Sequence, residues 1–432
     1  MKALRFFVSF LWILNLLGLN DISAQENQKM DWFRDARLGI FIHWGIYSVD
    51  GIDESWSFFN EYVSHETYMK QLNGFTATNF NPEKWADLIA SSGAKYTVIT
   101  SKHHDGVALW NTRCNDLSIV KKTPAAKDVL TPFVAAARQK GLKTGIYFSL
   151  LDWSHPDYPN LTRTQKRYTS DSARWNRFVD FNFCQLNELV KQYNPDLFWF
   201  DGDWEQNADA WKAKEIRKMI LQHNPDAIIN SRLAGYGDYD TPEQGVPVLQ
   251  PAGQFWELCL TMNDSWGYQP NDKNYKSTDL IIRILADCIT LGGNLLLDIG
   301  PKPDGSVPAE QISILEELGK WTSKHKEAVY GTKPGIPFEY FKGNTALSAD
   351  STILYLFVEG TPSMPLIIKG LKNKINRIRV VGDGTKLSWN IVGKLYWSEV
   401  PGLVLIDLPK ENIDPHLTVI AVQLDGPVNL NK

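Results

Sequence analysis

Leu197-Phe198-Trp199-Phe200-Asp201-Gly202-Asp203-Trp204 is the stretch on which the reading of this chain turns. Four apolar and aromatic residues run straight into a carboxylate, and a glycine then breaks the extended pattern. A buried strand ending in Asp-Gly sets an acid at the mouth of a sheet or barrel, here walled by tryptophan. Tryptophan faces stack on flat ligand surfaces, and a partly desolvated carboxylate can act as nucleophile or acid/base. Asp-Gly also closes ordinary turns. Alone, the segment leaves both readings open.

Its neighbours narrow the choice. Apolar runs predict further strands at Leu38–Trp44, Lys95–Thr100, Lys143–Ser149, Ala227–Ser231, Gln254–Cys259 and Asn294–Ile299, with Asp196–Phe200 among them. Helical periodicity fills the intervals, over Pro82–Ser92, Asp128–Lys140, Ala173–Tyr193, Ala208–His223, Asp279–Leu291 and Ala309–Ala328. Unbroken apolar strands alternating with amphipathic helices imply a parallel sheet covered by helices. His43, His103, His104, Tyr147, Asp201, Arg232, Glu257 and Asp298 all fall near or past the expected end of a strand. An open sheet would gather such groups at one switch point. Spread over so many strands, they fit a (β/α)8-like TIM barrel, whose βα loops share one rim. No GxGxxG follows the first strand and no Walker sequence occurs, so nucleotide binding has no support.

After about Gly335 the helical pattern stops. Thr352–Val358, Pro365–Ile368, Ile375–Val381, Leu395–Trp397, Leu403–Leu408 and Leu417–Gln423 read as short strands split by turns. That is the signature of a C-terminal antiparallel β-sandwich. The expected division is a signal peptide over 1–24, a barrel over 25–335 and the sandwich over 336–432.

The N-terminus carries the marks of export. Lys2 and Arg5 precede an apolar run from Phe6 to Leu19, and Ile22-Ser23-Ala24 offers a cleavage site before Gln25. The run is short for a membrane span, so a periplasmic or secreted protein is expected. A net charge of −4 without Lys/Arg runs argues against a nucleic-acid surface. The 16 tryptophans favour a ligand with flat apolar faces. Cys114, Cys184, Cys259 and Cys288 form no metal pattern. Cys184, Cys259 and Cys288 sit among apolar neighbours and read as small core residues, with Cys114 on the surface side. The oligomeric state is not legible.

Among candidate site residues, His43 ends an apolar strand beside Trp44. Lys102-His103-His104-Asp105-Gly106 invites a metal, but adjacent strand residues point to opposite faces, and no HExxH occurs. Hydrogen bonding to a polyhydroxylated ligand fits better; no metal is expected. Asp201 is the nucleophile candidate. Its partner carboxyl is Glu243, in the loop Tyr236–Gln244, or Glu257, after Phe255-Trp256 at a strand end. Arg232 offers a rigid fork of donors near the charge. Trp56, Trp199 and Trp266 can wall an apolar subsite.

Together these motifs resemble the α-L-fucosidases of glycoside hydrolase family 29. The matching blocks are Gly39–Gly45, Ala94-Lys95-Tyr96 leading to Lys102–Gly106, Gly145–Trp153, Trp199–Trp204, Ser265-Trp266-Gly267-Tyr268 and Gly292–Pro301. They follow in order over about Asp31 to Pro308. The resemblance implies exo-hydrolysis of terminal α-L-fucose from fucosylated glycans with net retention, without metal or organic cofactor. By it Asp201 is the nucleophile. His43, His103, His104, Tyr147, Trp199 and Arg232 line the fucose site, and Trp266 lies near the sugar's methyl. Glu243 matches one recurrent acid/base position and Glu257 another; Glu243 is taken as the acid/base and Glu257 as a sugar ligand. Burial and the Asp201 charge are expected to raise the acid's pKa toward ~6. Ser55 stands where a glutamate usually precedes the tryptophan equivalent to Trp56, which puts that contact in question. Asp298 replaces a usual asparagine and is read as structural.

Three other readings stay open at this stage. One is a hydrolase of a related sugar such as an α-L-galactoside, and another a non-catalytic fucose-binding protein. The third is a metal-dependent hydrolase built on His103, His104 and Asp105.

Overall fold

The computed structural model describes residues 28–431, so the export segment expected over 1–24 lies outside the described residues. Seven strands form one parallel sheet: β1 (Leu38–Ile42), β2 (Tyr96–Lys102), β3 (Lys143–Ser149), β4 (Leu197–Asp201), β5 (Ile228–Ile229), β6 (Glu257–Thr261) and β7 (Asn294–Ile299). Their hydrogen-bonded order is β5-β4-β3-β2-β1-β7-β6. Apart from Lys143 at the start of β3, every residue of these strands is buried. Burial on both faces is why they read as continuous apolar runs.

Residues 238–244 close the ring. They lie between the edge strands β5 and β6, with parallel bridges Asn230↔Tyr239, Asp240↔Trp256 and Glu243↔Cys259. Ser231 N donates to Tyr239 O at 2.8 Å, and Glu257 N donates to Asp240 O at 2.9 Å. The segment Asp238-Tyr239-Asp240-Thr241-Pro242-Glu243-Gln244 carries no strand signal, because it is polar and Pro242 has no N–H to give a ladder. The fold is therefore a (β/α)8-like barrel, irregular at one strand, and the segment expected as a loop is its closing piece.

Helices cover the outside. Helix Ser172–Tyr193 starts where the Asp171 side chain accepts from Arg174 N and stops at Asn194, which takes a left-handed φ of 43°. The helix expected over 208–223 is broken by Lys212 (φ 53°) into Ala208–Trp211 and Ala213–His223. Similarly, the last barrel helix ends at Lys324, and a short turn Lys326–Val329 follows. No helix among the described residues is long and apolar enough to cross a membrane.

The C-terminal part contains β8 (Lys333–Pro334), β9 (Asn344–Leu347), β10 (Ile353–Val358), β11 (Leu366–Ile368), β12 (Ile375–Val380), β13 (Trp389–Val392), β14 (Leu403–Ile406) and β15 (Thr418–Leu424). They make two antiparallel sheets, β12-β15-β10-β9-β8 and β11-β14-β13. Leu354, Leu356, Ile378, Ile420 and Val422 of the first share a core with Ile368, Val404 and Ile406 of the second. The opposite face of the first sheet packs on the barrel through Tyr355, Phe357, Val419 and Ala421. The Trp321 indole donates to Leu417 O at 2.9 Å across this junction. Leu395–Trp397, expected as a strand, is instead an exposed turn beyond β13, with Tyr396 95% exposed.

Cys184 also departs from expectation. It is an exposed residue bonded to Cys114, not a core thiol. Its apolar neighbours lie on the buried stripe of helix Ser172–Tyr193, while Cys184 projects from the other side. Cys259 and Cys288 are buried free thiols, as read.

Candidate active site

The rim formed by the C-terminal ends of the strands holds a pocket lined by Phe41, His43, Glu54, Trp56, His103, Tyr147, Trp199, Asp201, Trp204, Arg232, Glu243 and Trp266. Its volume is about 130 Å³, well below the ~300–1,000 Å³ of a drug-sized site. It suits one small ring.

Asp201 is the last residue of β4 and is 9% exposed. Gly202 then turns the chain sharply, with φ 83°, and a Cβ there would lie 2.5 Å from Leu151. Only glycine allows this exit without strain. The carboxylate is held by two donors: Tyr147 OH at 3.0 Å on Oδ2 and an Arg232 guanidinium nitrogen at 3.1 Å on Oδ1. The His104 ring nitrogen Nε2 lies 3.6 Å from Oδ2.

Arg232 joins the two candidate carboxylates. Its second terminal nitrogen donates to Glu243 Oε2 at 2.6 Å, and its Nε donates to Thr241 Oγ1 at 3.2 Å. The guanidinium lies 4.8 Å from the Trp199 ring centre. The closing segment thus both presents Glu243 and clamps the arginine. A single guanidinium bridges Glu243 and Asp201, which brings to one site the two carboxyl groups that glycoside hydrolysis uses. The Glu243 side chain is 40% exposed. The burial expected of it is not there, because the closing segment lies on the open side of the rim.

Glu257 is not at the pocket wall. β6 starts at Glu257 rather than ending there, so this residue sits at the opposite, N-terminal end of its strand. Phe255 and Trp256 precede the regular ladder, which is why the aromatic run placed the strand too early. Glu257 is fully buried, accepts from the Trp199 indole at 3.0 Å, and accepts from Tyr96 OH. It supports Trp199 from beneath and is not among the residues lining the pocket. Burial pushes its carboxyl up to about 7, against the hydrogen bonds of Tyr96 and Trp199.

That shift has a measurable consequence. A buried acid raised above its unfolded value stabilises fully below about 4.5, and the contribution is lost as pH rises through about 7. Glu257→Gln keeps the shape but cannot titrate. Relative to the variant, wild type should lose up to about 3 kcal/mol of unfolding free energy between pH 4.5 and 8. Urea unfolding of both proteins at the two pH values checks it. A difference that does not change with pH would reject the buried-acid assignment.

The histidines are held neutral. Burial keeps His43 and His103 well below the usual imidazole value and brings His104 down to about 3. Each has Nδ1 engaged within the protein: His43 with Asp298 Oδ1 at 2.8 Å, His103 with Ser55 Oγ at 2.6 Å, His104 with Ser149 Oγ at 2.6 Å. Ser149 spends its proton on Leu151 O at 2.8 Å, so His104 Nδ1 is the donor in that pair and Nε2 is an acceptor. His43 and His103 line the pocket with no hydrogen bond on Nε2 among the described residues, whereas His104 Nε2 faces Asp201. Asp298, read as structural, is the group that orients His43. His103 and His104 do not point to opposite faces; their rings are 4.3 Å apart. β2 is irregular between Thr100 and Lys102 and ends before them, which removes the strand alternation. Asp105 turns away from both, accepting from Tyr68 OH at 2.6 Å and Val107 N at 2.9 Å.

The walls are aromatic. Trp266 lies 5.0 Å from His43 and 6.1 Å from Phe41, Tyr147 stacks on Trp199 at 5.6 Å, and Trp56 stacks on Trp204 at 6.0 Å (ring centres).

Three lining residues were not anticipated. Glu54 is buried, accepts from Gly267 N, and is pushed by burial up to about 7. Glu54, one position before Ser55, brings a carboxylate to this wall, and Ser55 hydrogen-bonds His103. The carboxylate two residues before Trp56 was the available signal. Trp204 lies in the opening motif, and Phe41 in the apolar strand run that ends at His43.

The comparisons with known proteins agree with this geometry. A family model described as Alpha-L-fucosidase matches residues 19–327. The tissue alpha-L-fucosidase of Macaca fascicularis is 30% identical over 428 residues, covering 90% of this chain and 86% of the relative. The alpha-L-fucosidase of Branchiostoma floridae is 32% identical over 343 residues, covering 72% and 74%. Among solved structures, alpha-L-fucosidase isoenzyme 1 from Paenibacillus thiaminolyticus superposes with TM-score 0.84 at 31% identity, covering 93% of this chain and all of that one. A GH29 alpha-L-fucosidase from Bacteroides thetaiotaomicron, trapped as a covalent intermediate with 2-fluoro-fucosyl fluoride, gives TM-score 0.81 at 27% identity, covering 92% and 96%.

Proposed function

The chain belongs to the α-L-fucosidase family, glycoside hydrolase family 29, and from that premise we propose that it removes terminal α-L-fucose from fucosylated glycans by double displacement. One observation carries the reading: Asp201, fixed by Tyr147 and Arg232, closes a one-ring aromatic pocket beside a second, exposed carboxylate. Asp201 attacks the anomeric carbon as Glu243 protonates the departing glycosidic oxygen. The C–O bond breaks, a fucosyl ester forms on Asp201, and the aglycone leaves as an alcohol. Water, deprotonated by the same Glu243, then attacks the anomeric carbon from the vacated side and frees both Asp201 and fucose. The open side of the rim, where Glu243 stands, gives that water its route.

The neutral rings of His43 and His103 offer Nε2 atoms to the sugar hydroxyls. Phe41 and Trp266 supply an apolar wall for a 6-deoxy sugar's methyl, a wall that disfavours the added hydroxyl of an α-L-galactoside. Export is supported by the Lys2–Ala24 sequence pattern and by the Cys114–Cys184 disulfide, since such bonds persist in oxidising compartments.

The test is hydrolysis of an aryl α-L-fucoside followed by NMR. The expected first product is α-L-fucose, which mutarotates later. β-L-Fucose appearing first, or faster turnover of the matching α-L-galactoside, contradicts the proposal.

A further inference from the structure

Next to the catalytic pocket lies a second cavity, of about 370 Å³, lined by Asn160, Lys166, Tyr168, Trp175, Glu205 and Gln206 among others. We propose that this groove binds the aglycone, holding pyranose residues that lie beyond the one bonded to fucose; the inference rests on the fucosidase reading above.

Size makes the first argument. A pocket of about 130 Å³ takes one ring, so the rest of any glycan must lie outside it. Position makes the second. Trp204 lines the pocket, is 53% exposed and stands at its mouth, while the next two residues, Glu205 and Gln206, line the groove. One short turn, Asp203–Glu205, therefore forms the partition. In the proposal, a glycan leaving the pocket passes over the Trp204 ring toward Glu205 and Gln206.

The groove is also built for sugars. Its aromatic walls are fixed before any ligand arrives. Tyr168 OH donates to Asp157 O at 2.6 Å with the Arg174 guanidinium 4.5 Å from its ring, and the Trp175 indole donates to Ala210 O at 3.3 Å. Glu205 accepts from Trp153 at 3.1 Å and from Tyr158 and Asn160 at 2.6 Å each, which ties the groove floor to the ring that packs on Trp56. Pre-organised walls lower the ordering cost of binding. By contrast, Lys166 and Gln206 make no side-chain hydrogen bond or ion pair among the described residues. Rigid aromatic faces beside unspent polar groups match the two surfaces of a pyranose, its C–H face and its hydroxyl edge.

The experiment compares two substrates, an aryl α-L-fucoside and a fucosylated tetrasaccharide, with wild type, the double variant Lys166→Ala/Gln206→Ala, and Ser170→Trp, which fills the groove. The double variant should lower kcat/KM on the tetrasaccharide about tenfold, through KM, and leave the aryl substrate within about twofold. Ser170→Trp should abolish the advantage of the tetrasaccharide while sparing the aryl fucoside, which also shows that the protein is folded. Equal losses on both substrates, or no loss on either, overturn the groove assignment. Wild type inactive on both substrates overturns the fucosidase reading, a distinct result, and the inference falls with it.

Discussion

Asp201→Gly should be folded and almost without turnover, with kcat on an aryl α-L-fucoside reduced by at least about 10⁴-fold. The size follows from the geometry. Asp201 is the acid at the pocket wall that Tyr147 and Arg232 aim together, and no other carboxylate of the pocket shares that position. Removing it takes away the bond-forming group rather than a binding contact. Stability should fall modestly, because Tyr147 OH loses its acceptor while Arg232 keeps Glu243 and Thr241 as partners. Added azide should restore slow turnover by occupying the vacated side, and the product should be β-L-fucosyl azide, formed with a single inversion. A binding protein would respond differently: fucose affinity would change modestly, and there would be no turnover to lose. A variant that hydrolyses the substrate at near wild-type rate removes Asp201 from the mechanism.

Glu243→Ala should reduce turnover of glycans, whose leaving alcohols need a proton, by about 10²–10⁴-fold. An activated aryl fucoside should suffer less, because its phenolate leaves without help. Azide should then accelerate the variant by attacking the fucosyl-enzyme, giving α-L-fucosyl azide with the configuration retained. Glu257 supplies the contrast. It is fully buried under Trp199 and engaged on both oxygens, so Glu257→Gln should keep turnover within about tenfold and show no azide rescue. Rescue confined to a Glu257 variant would move the acid/base there. It would also require β6 to shift, since this strand now buries that side chain.

The barrel was legible because seven strands are buried on both faces and announce themselves as apolar runs. The eighth was not. Residues 238–244 close the ring through three bridges, with a proline and acids in place of branched apolar residues, and no periodicity marks them. The same blindness affected the site. Glu243 was recognised as a candidate, but its place on the closing segment, and the arginine shared with Asp201, depend on contacts between distant parts of the chain. Glu257 was misplaced because Phe255-Trp256 looks like strand interior, whereas the ladder starts after them. Glu54 escaped because it stands two residues before Trp56 rather than next to it; a short helical turn begins at Trp56, and both residues line the pocket. Of the three histidines singled out, His43 and His103 stand on the pocket wall, whereas His104 lies behind it, against Asp201. Their tautomers were not readable, since these depend on Asp298, Ser55 and Ser149, each remote in sequence from the ring it orients.

The central claim is that Asp201 forms a covalent bond to fucose. The most direct test is incubation of the enzyme with 2-fluoro-fucosyl fluoride, followed by intact-mass measurement and peptide mapping. The account predicts one 2-fluorofucosyl group per chain, carried by the peptide containing Asp201, and none on Asp201→Gly. Label on a different residue, or turnover of an aryl fucoside by an enzyme that never acquires the label, would contradict it.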